Sequence, residues 1–137
     1  MLDRYKFRAW NKEEKRMYYD AQDTYDYMTG QPVIPAERFA ILLEDEKEWI
    51  VEQCVGIKDR SGRLIYEGDI IRYCVNWRAY CLTYTRIVAW DKKTAGFIMV
   101  NGKTQVKPLQ KWRFPDPETH IIEIVGNIHE IKGGNNE

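Results

Sequence analysis

The chain is poor in the residues from which most catalytic sites are built. Ser61 is its only serine, and His120 and His129 are its only histidines. Ser61 falls in a turn signal with no third group in view, which argues against a Ser–His–Asp arrangement. If the two histidines share a strand, their odd spacing sends them to opposite faces, so they cannot share a metal. Cysteine is scarce too. Cys54, Cys74 and Cys81 are an odd set with no C-x-x-C pair, which argues for free thiols in a reducing compartment and against a disulfide framework or a zinc ribbon. Cys74 and Cys81 could approach each other across a hairpin, but small buried residues are the simpler reading. Neither a GxxxxGK[ST] nor a GxGxxG phosphate loop is present. No apolar run is long enough to span a membrane, and Met1-Leu2-Asp3-Arg4 leads straight into a strand pattern without a secretory leader. A soluble protein of the cytoplasm, without membrane contact, is expected. Net charge is also missing. Lys plus Arg and Asp plus Glu each number 21, so no global basic field announces nucleic acid.

What the chain does have is strand patterning. At 137 residues it fits one domain with room for a real core. Tyr5, Phe7 and Ala9 alternate with Lys6 and Arg8. Asn11 to Lys15 reads as a polar turn, and Arg16 to Tyr19 as a returning strand. Asp20 to Pro35 has no clear period and reads as a surface excursion, with one helical turn at Thr24 to Met28. Phe39, Ile41 and Leu43 alternate as a strand, and Trp49, Val51, Gln53 and Val55 follow on the next. The strongest strand runs from Asp69 to Trp77. Ile71, Tyr73, Val75 and Trp77 share one face; Arg72, Cys74 and Asn76 share the other. A second long strand spans Leu82 to Trp90 and turns at Asp91–Gly96 into Phe97–Val100. Asn101-Gly102 is a type I′ hairpin signal feeding Lys103–Lys107. Leu109 to Phe114 reads as a brief helix or a loop. Ile121 to Ile131 is a final strand, with Gly126 marking a bulge or close backbone contact. Tyr5, Phe7, Ile71, Tyr73, Val75, Ile122, Ile124 and Ile128 are the expected interior.

The most telling stretch runs from Val55 to Ile71, VGIKDRSGRLIYEGDII. Asp59-Arg60-Ser61-Gly62 is a turn, with Asp able to bond nearby backbone and Gly free to take positive φ. Glu67-Gly68-Asp69 turns the chain again and launches the long strand. Asp59, Glu67 and Asp69 could be read as a carboxylate site, but turn chemistry alone explains these residue types. Gly56, Asp59, Gly62, Gly68, Asp69 and Gly126 are therefore read as structural. This stretch resembles the YopX family of phage- and prophage-encoded proteins, whose members read "TGLKDKNGKEIYEGDIV" here. The likeness extends to both ends. Tyr5-Lys6-Phe7-Arg8-Ala9-Trp10 is similar to the opening "KFRAWD", with Asn11 in place of Asp. Glu123 to Glu130 is similar to the closing "EVIGNIYEN", with His129 where Tyr is usual. The resemblance implies a mobile-element origin, a bacterial host cytoplasm and a small, mostly β fold. It brings no activity that can be transferred residue by residue.

Short strands, tight turns and a Gly-Asp launch suggest a barrel. The expected fold is mainly β with minor α. An SH3-like or pseudo-barrel core covers about residues 50–131, and an irregular, partly helical N-terminal cap precedes it, within a single domain spanning 1–137. Charge is uneven despite the zero total. Asp20 to Glu52 is acidic; Asp20, Asp23 and Asp26 lack the glycine and closing Glu of a calcium loop and read as a solvated loop. Arg72 to Lys93 is basic and aromatic. Arg72, Arg78, Tyr80, Tyr84, Arg86, Lys92 and Lys93 are the candidate contact residues, since basic groups interleaved with aromatics can hold phosphates and stack bases. An exposed basic hairpin opposite an acidic lobe can equally balance charge or mediate self-association. No acid–base pair or activated nucleophile stands out. The expectation is thus a non-catalytic binding module, with no cofactor, acting through contact with a host or phage protein. A nucleic-acid-binding accessory protein is the alternative, and formation of a homo-oligomer is compatible with either.

Overall fold

The computed structural model describes residues 2–23, 39–77, 80–102 and 110–130. The expected helical turn at Thr24–Met28 and strand at Lys103–Lys107 lie outside them. Among the described residues the fold is mainly β, with a curled half-barrel sheet and one short α-helix. The chain divides into two compact units, one ending at Cys54 and the other starting at Val55. The division falls within the strand that sequence patterning placed at the edge of the core.

In the first unit, β1 (Phe7–Asn11) lies between β2 (Arg16–Tyr19) and the first half of β3 (Trp49–Lys58), antiparallel to both. Asn11 shapes the β1–β2 turn, its Oδ1 accepting the N–H groups of Glu13 and Glu14 at 3.0 and 2.8 Å. Ala9, Ala21, Leu42 and Trp49 form a small core, with Phe7, Tyr18, Phe39 and Val51 packed on it. Arg8 lies opposite Glu52 in the β1–β3 register, and their side chains form a buried ion pair of 2.8 Å. Sequence alternation reads Arg8 as solvent-facing, whereas it is 2 % exposed; the guanidinium is tolerated inside because a carboxylate meets it.

Phe39–Glu44 is helix α1, not the strand that alternation of Phe39, Ile41 and Leu43 suggests. The run Phe-Ala-Ile-Leu-Leu is apolar throughout, so it fits either period. The helical period wins because it sets Phe39 and Leu42 on one side. Phe39 reaches the Phe7 ring at 5.0 Å and Leu42 is buried, while Ile41 and Leu43 are exposed.

In the second unit, the end of β3 turns at Asp59–Gly62 into β4 (Leu64–Tyr66), its neighbour. A five-stranded sheet follows in the order β8-β7-β6-β5-β9, from β5 (Asp69–Trp77), β6 (Tyr80–Asp91), β7 (Gly96–Val100), β8 (Lys111–Trp112) and β9 (Ile122–Asn127). The core gathers Ile65 of β4 with Ile71, Tyr73, Val88, Met99 and Ile122 of the sheet. Val55, Ile57, Val75 and Ile124 pack against it. Val125 is an extra residue in β9. Ile70 pairs with Gly126 and Ile71 with Ile124, a bulge where Gly126 predicted one.

Several expectations are corrected here. Lys111–Trp112 is a short strand pairing with Met99 and Val100, not a helix or loop. The last strand ends at Asn127, whose side chain caps a turn through the N–H groups of His129 and Glu130. Ile128 sits in that turn and is exposed, and Tyr5 is exposed at the end of a 3₁₀ turn. Cys74 and Cys81 form a disulfide across β5–β6, with Cα atoms 5.7 Å apart, within the usual disulfide range. They are neither the free thiols nor the small buried residues expected: they are bonded to each other, Cys81 is exposed and Cys74 half-buried. Cys54 is buried and takes no part in that disulfide.

Candidate functional site

The turn residues around Asp59 are fully engaged in holding the fold. Asp59 Oδ1 accepts the Ser61 N–H and hydroxyl at 2.9 and 2.8 Å and the Arg63 N–H at 2.9 Å. Its Oδ2 accepts the Ile124 N–H of β9 at 3.1 Å and Arg63 Nη2 at 3.3 Å. Burial pushes this carboxyl upward, but the Ser61 hydroxyl and the N–H groups of Ile124, Arg63 and Ser61 outweigh it and hold the pKa at about 2. A carboxylate so saturated serves as a staple, not as a base. Gly62 closes the same turn at φ +88°. Gly68, at φ +86°, donates its N–H to the Val88 carbonyl and accepts the Ile128 N–H. One backbone thus ties β6 and the turn after β9 to the start of β5. Asp69 Oδ2 accepts the Tyr66 N–H at 2.8 Å, closing the β4–β5 turn. Gly56 holds φ +96° within β3 rather than in a turn.

The β5–β6 hairpin carries the contact residues that the sequence suggested, and its register sorts them. Ile71 pairs with Arg86, Tyr73 with Tyr84 and Val75 with Leu82. Alternation puts all six on the core face of the sheet together with Tyr80. Arg72, Cys74, Cys81, Thr83 and Thr85 occupy the other face. Arg72 Nη2 is bonded to Glu123 Oε1 of β9 on that face. Arg86 lies on the core face, its guanidinium 3.9 Å from the Trp112 ring centroid and 5.0 Å from that of Tyr84. The Tyr73 and Tyr84 rings lie 5.8 Å apart. Burial raises the Tyr73 pKa, with the Arg86 charge acting against it and Tyr84 adding to it.

Those basic residues do not make one patch. Arg72 and Arg86 point to opposite faces, and Arg72 is spent on Glu123. Lys92 and Lys93 sit in the β6–β7 turn, at the far end of β6 from Tyr80, about 35 Å along the strand at roughly 3.3 Å per residue. Arg78 lies outside the described residues. The Trp112 platform was missed, because the Leu109–Phe114 stretch showed no strand period; the only available signal was an aromatic flanked by Lys111 and Arg113.

What the hairpin does assemble is an apolar face at its free end. β9 pairs with β5 only at Asp69–Tyr73, and β7 pairs with β6 only at Ile87–Asp91. Beyond those limits the hairpin extends past its neighbours among the described residues. There Tyr80 is 69 % and Leu82 43 % exposed, beside half-buried Val75 and Tyr84. Elsewhere, clefts indent the surface formed by the described residues. One of about 370 Å³ lies over Leu42, Trp49 and Val51 in the first unit; one of about 180 Å³ lies between Lys58–Arg60 and His120–Ile122 in the second. The second cleft contains His120, but its carboxylate, Asp59, is already saturated. Among the described residues, no three His, Cys, Asp or Glu side chains gather to hold a metal, and no helix is long and apolar enough to cross a membrane.

Comparison with known proteins matches the geometry at the level of family and fold. A family model described as YopX protein matches residues 6–131. The crystal structure of protein EF1440 from Enterococcus faecalis is similar at a TM-score of 0.52, with 23 % identity over 91 % of this chain and 93 % of that one. That likeness shows the fold. Comparison with curated proteins finds no match.

Proposed function

The chain belongs to the YopX family, and from that premise we propose that it is a non-catalytic, phage- or prophage-encoded module that acts in a bacterial cytoplasm by protein–protein contact. The observation that carries this reading is the free end of the β5–β6 hairpin, where Tyr80 and Leu82 are exposed on one face. Apolar and aromatic side chains clustered on a surface are what protein interfaces use as anchors. Asp59, Asp69, Arg72 and Arg86 are engaged within the fold, whereas Tyr80 and Leu82 present apolar surface to solvent. Nucleic-acid binding draws less support, because among the described residues Arg72 and Arg86 lie on opposite faces of the hairpin and Lys92 and Lys93 lie beyond the end of β6.

A photoreactive aromatic placed at Tyr80 tests the reading in the bacterial host. The expected result is a protein adduct of defined mass that survives nuclease and disappears in a Leu82→Asp variant of unchanged melting temperature. An absent adduct, or one that Leu82→Asp leaves intact, refutes the apolar face as the contact. A nuclease-sensitive adduct supports the nucleic-acid reading instead.

A further inference from the structure

Two of the three cysteines meet on the β5–β6 hairpin. Cys74 lies opposite Thr83 and Cys81 opposite Asn76, so the two are diagonal neighbours on one face. Backbone pairs lie on both sides of them, from Ile70–Ile87 to Trp77–Tyr80, and hold their Cα atoms 5.7 Å apart. Strand pairing thus brings the two thiols within bonding reach whether or not the bond is made. The ring that the bond closes is short, with a sequence separation of 7, so it restrains the unfolded chain less than a long one would. Cys81 is exposed and Cys74 half-buried, which leaves the bond open to attack from solvent. Exposed disulfides are the labile, regulatory kind, and the disulfides of cytosolic proteins are mostly transient ones of that sort. Cys54 is the contrast: it is fully buried and belongs to the other unit.

We propose that Cys74 and Cys81 are a reversible, peroxide-responsive thiol pair that controls the protein contact made by the hairpin. This rests on the cytoplasmic contact reading of Tyr80 and Leu82 and adds its regulation. The exposed Cys81 thiolate attacks a peroxide oxygen, giving Cys81 sulfenic acid and hydroxide, which takes up a proton to become water. The Cys74 thiol then attacks the sulfenic sulfur; the S–S bond forms and a second water leaves. In sum, two thiols and one hydrogen peroxide become one disulfide and two waters. A cellular dithiol reverses this by exchange, ending as its own disulfide while both cysteines regain their protons. The bond reaches the contact face through the backbone. Val75 follows Cys74, and Tyr80 and Leu82 flank Cys81, all three on the side of the sheet opposite the cysteines. Fixing the two cysteine Cα atoms therefore fixes where Tyr80 and Leu82 stand. The last pairs of a hairpin open most readily, and Trp77–Tyr80 is the last pair of this one. With the bond made, the tip is held ready; without it, the tip must be ordered as the partner binds, which weakens binding.

Thiol trapping tests the pair. Bacterial cells expressing the full chain are quenched in acid and labelled in denaturant with a polyethylene-glycol maleimide. A chain with the bond takes one label, at Cys54, and a chain without it takes three. The expected result is three labels in growing cells, one after a pulse of hydrogen peroxide, and three again on recovery. One label throughout means a permanent structural disulfide, and three throughout means that the bond never forms; either overturns the proposal. The Tyr80 photo-adduct is then compared before and after the pulse. Its yield should rise at least about fivefold with oxidation, and in Cys81→Ser it should stay at the reduced level throughout. An adduct of equal yield in both states overturns the control and keeps the binding module. Labels that switch while no adduct forms in either state overturn the contact reading, and the control with it, but not the thiol chemistry, so the two failures are told apart.

Discussion

Replacing Asp59 by Asn is the sharpest probe of the turn that stitches β3 and β4 to β9. The Asp59 side chain is fully buried and accepts hydrogen bonds at both oxygens. Its carboxyl is lowered from 3.8 to about 2. At roughly 1.4 kcal/mol per unit, ionisation of this one group contributes about 2.5 kcal/mol to stability at neutral pH. A depressed folded pKa gives stability that is complete above the unfolded value, near 4, and is lost as pH falls through about 2. Asn is the same size but removes the charge and turns an NH₂ toward donors that Asp59 satisfied, adding roughly 1 kcal/mol of unmet hydrogen bonding. Asp59→Asn is therefore expected to cost about 3–4 kcal/mol in urea titrations at pH 7. The gap to wild type should hold to about pH 4 and narrow steadily toward pH 2 as wild type protonates. A variant within about 0.5 kcal/mol of wild type at pH 7, or a gap that does not narrow in acid, would refute the assignment of this carboxylate as an ionised staple.

Other substitutions check other parts of the fold. Ile71→Ala empties the centre of the second core and should cost about 2–5 kcal/mol in the same titration. Gly68→Val forces a branched side chain to φ +86°, and a loss of about 1–3 kcal/mol is expected; an unchanged melting curve would count against the two-sided backbone tie there. Glu52→Gln removes the carboxylate charge that neutralises the buried Arg8 guanidinium in the first unit and should cost about 3–5 kcal/mol, seen as a lower urea midpoint with an unchanged slope.

Most strands were legible because one face of each is buried. Asp69–Trp77 reads as alternation since Ile71 and Tyr73 face the core while Arg72 does not. The glycines of the Val55–Ile71 stretch were legible because positive φ leaves few other choices. Phe39–Leu43 was misread because five consecutive apolar residues satisfy both periods, and only contact with Phe7 decides between them. Arg8 looked solvent-facing because its partner Glu52 lies 44 residues away, a distance over which alternation carries no information. The hairpin's residues were identified, but their division between two faces depends on the β5–β6 register, and the Trp112 stack depends on a strand only two residues long. The free end of the hairpin was hidden for a similar reason. Where β7 and β9 stop pairing is a property of other strands, not of the hairpin.

The position of β9 next to β5 also has a consequence for how the chain is made. β5 and β6 are adjacent in sequence and can pair as soon as both have been synthesised. The strand that covers β5 on its other side arrives only with Ile122–Asn127. The nearly fifty residues between Tyr73 and Ile122 take roughly 3–10 s to add at cellular elongation rates of about 5–20 residues per second. Through that interval the nascent chain offers Asp69–Tyr73 as an open strand edge, a target for mispairing between neighbouring chains on one message. Ribosome-associated holdases are expected to engage this protein in that window and to release it when the bulged strand closes over β5.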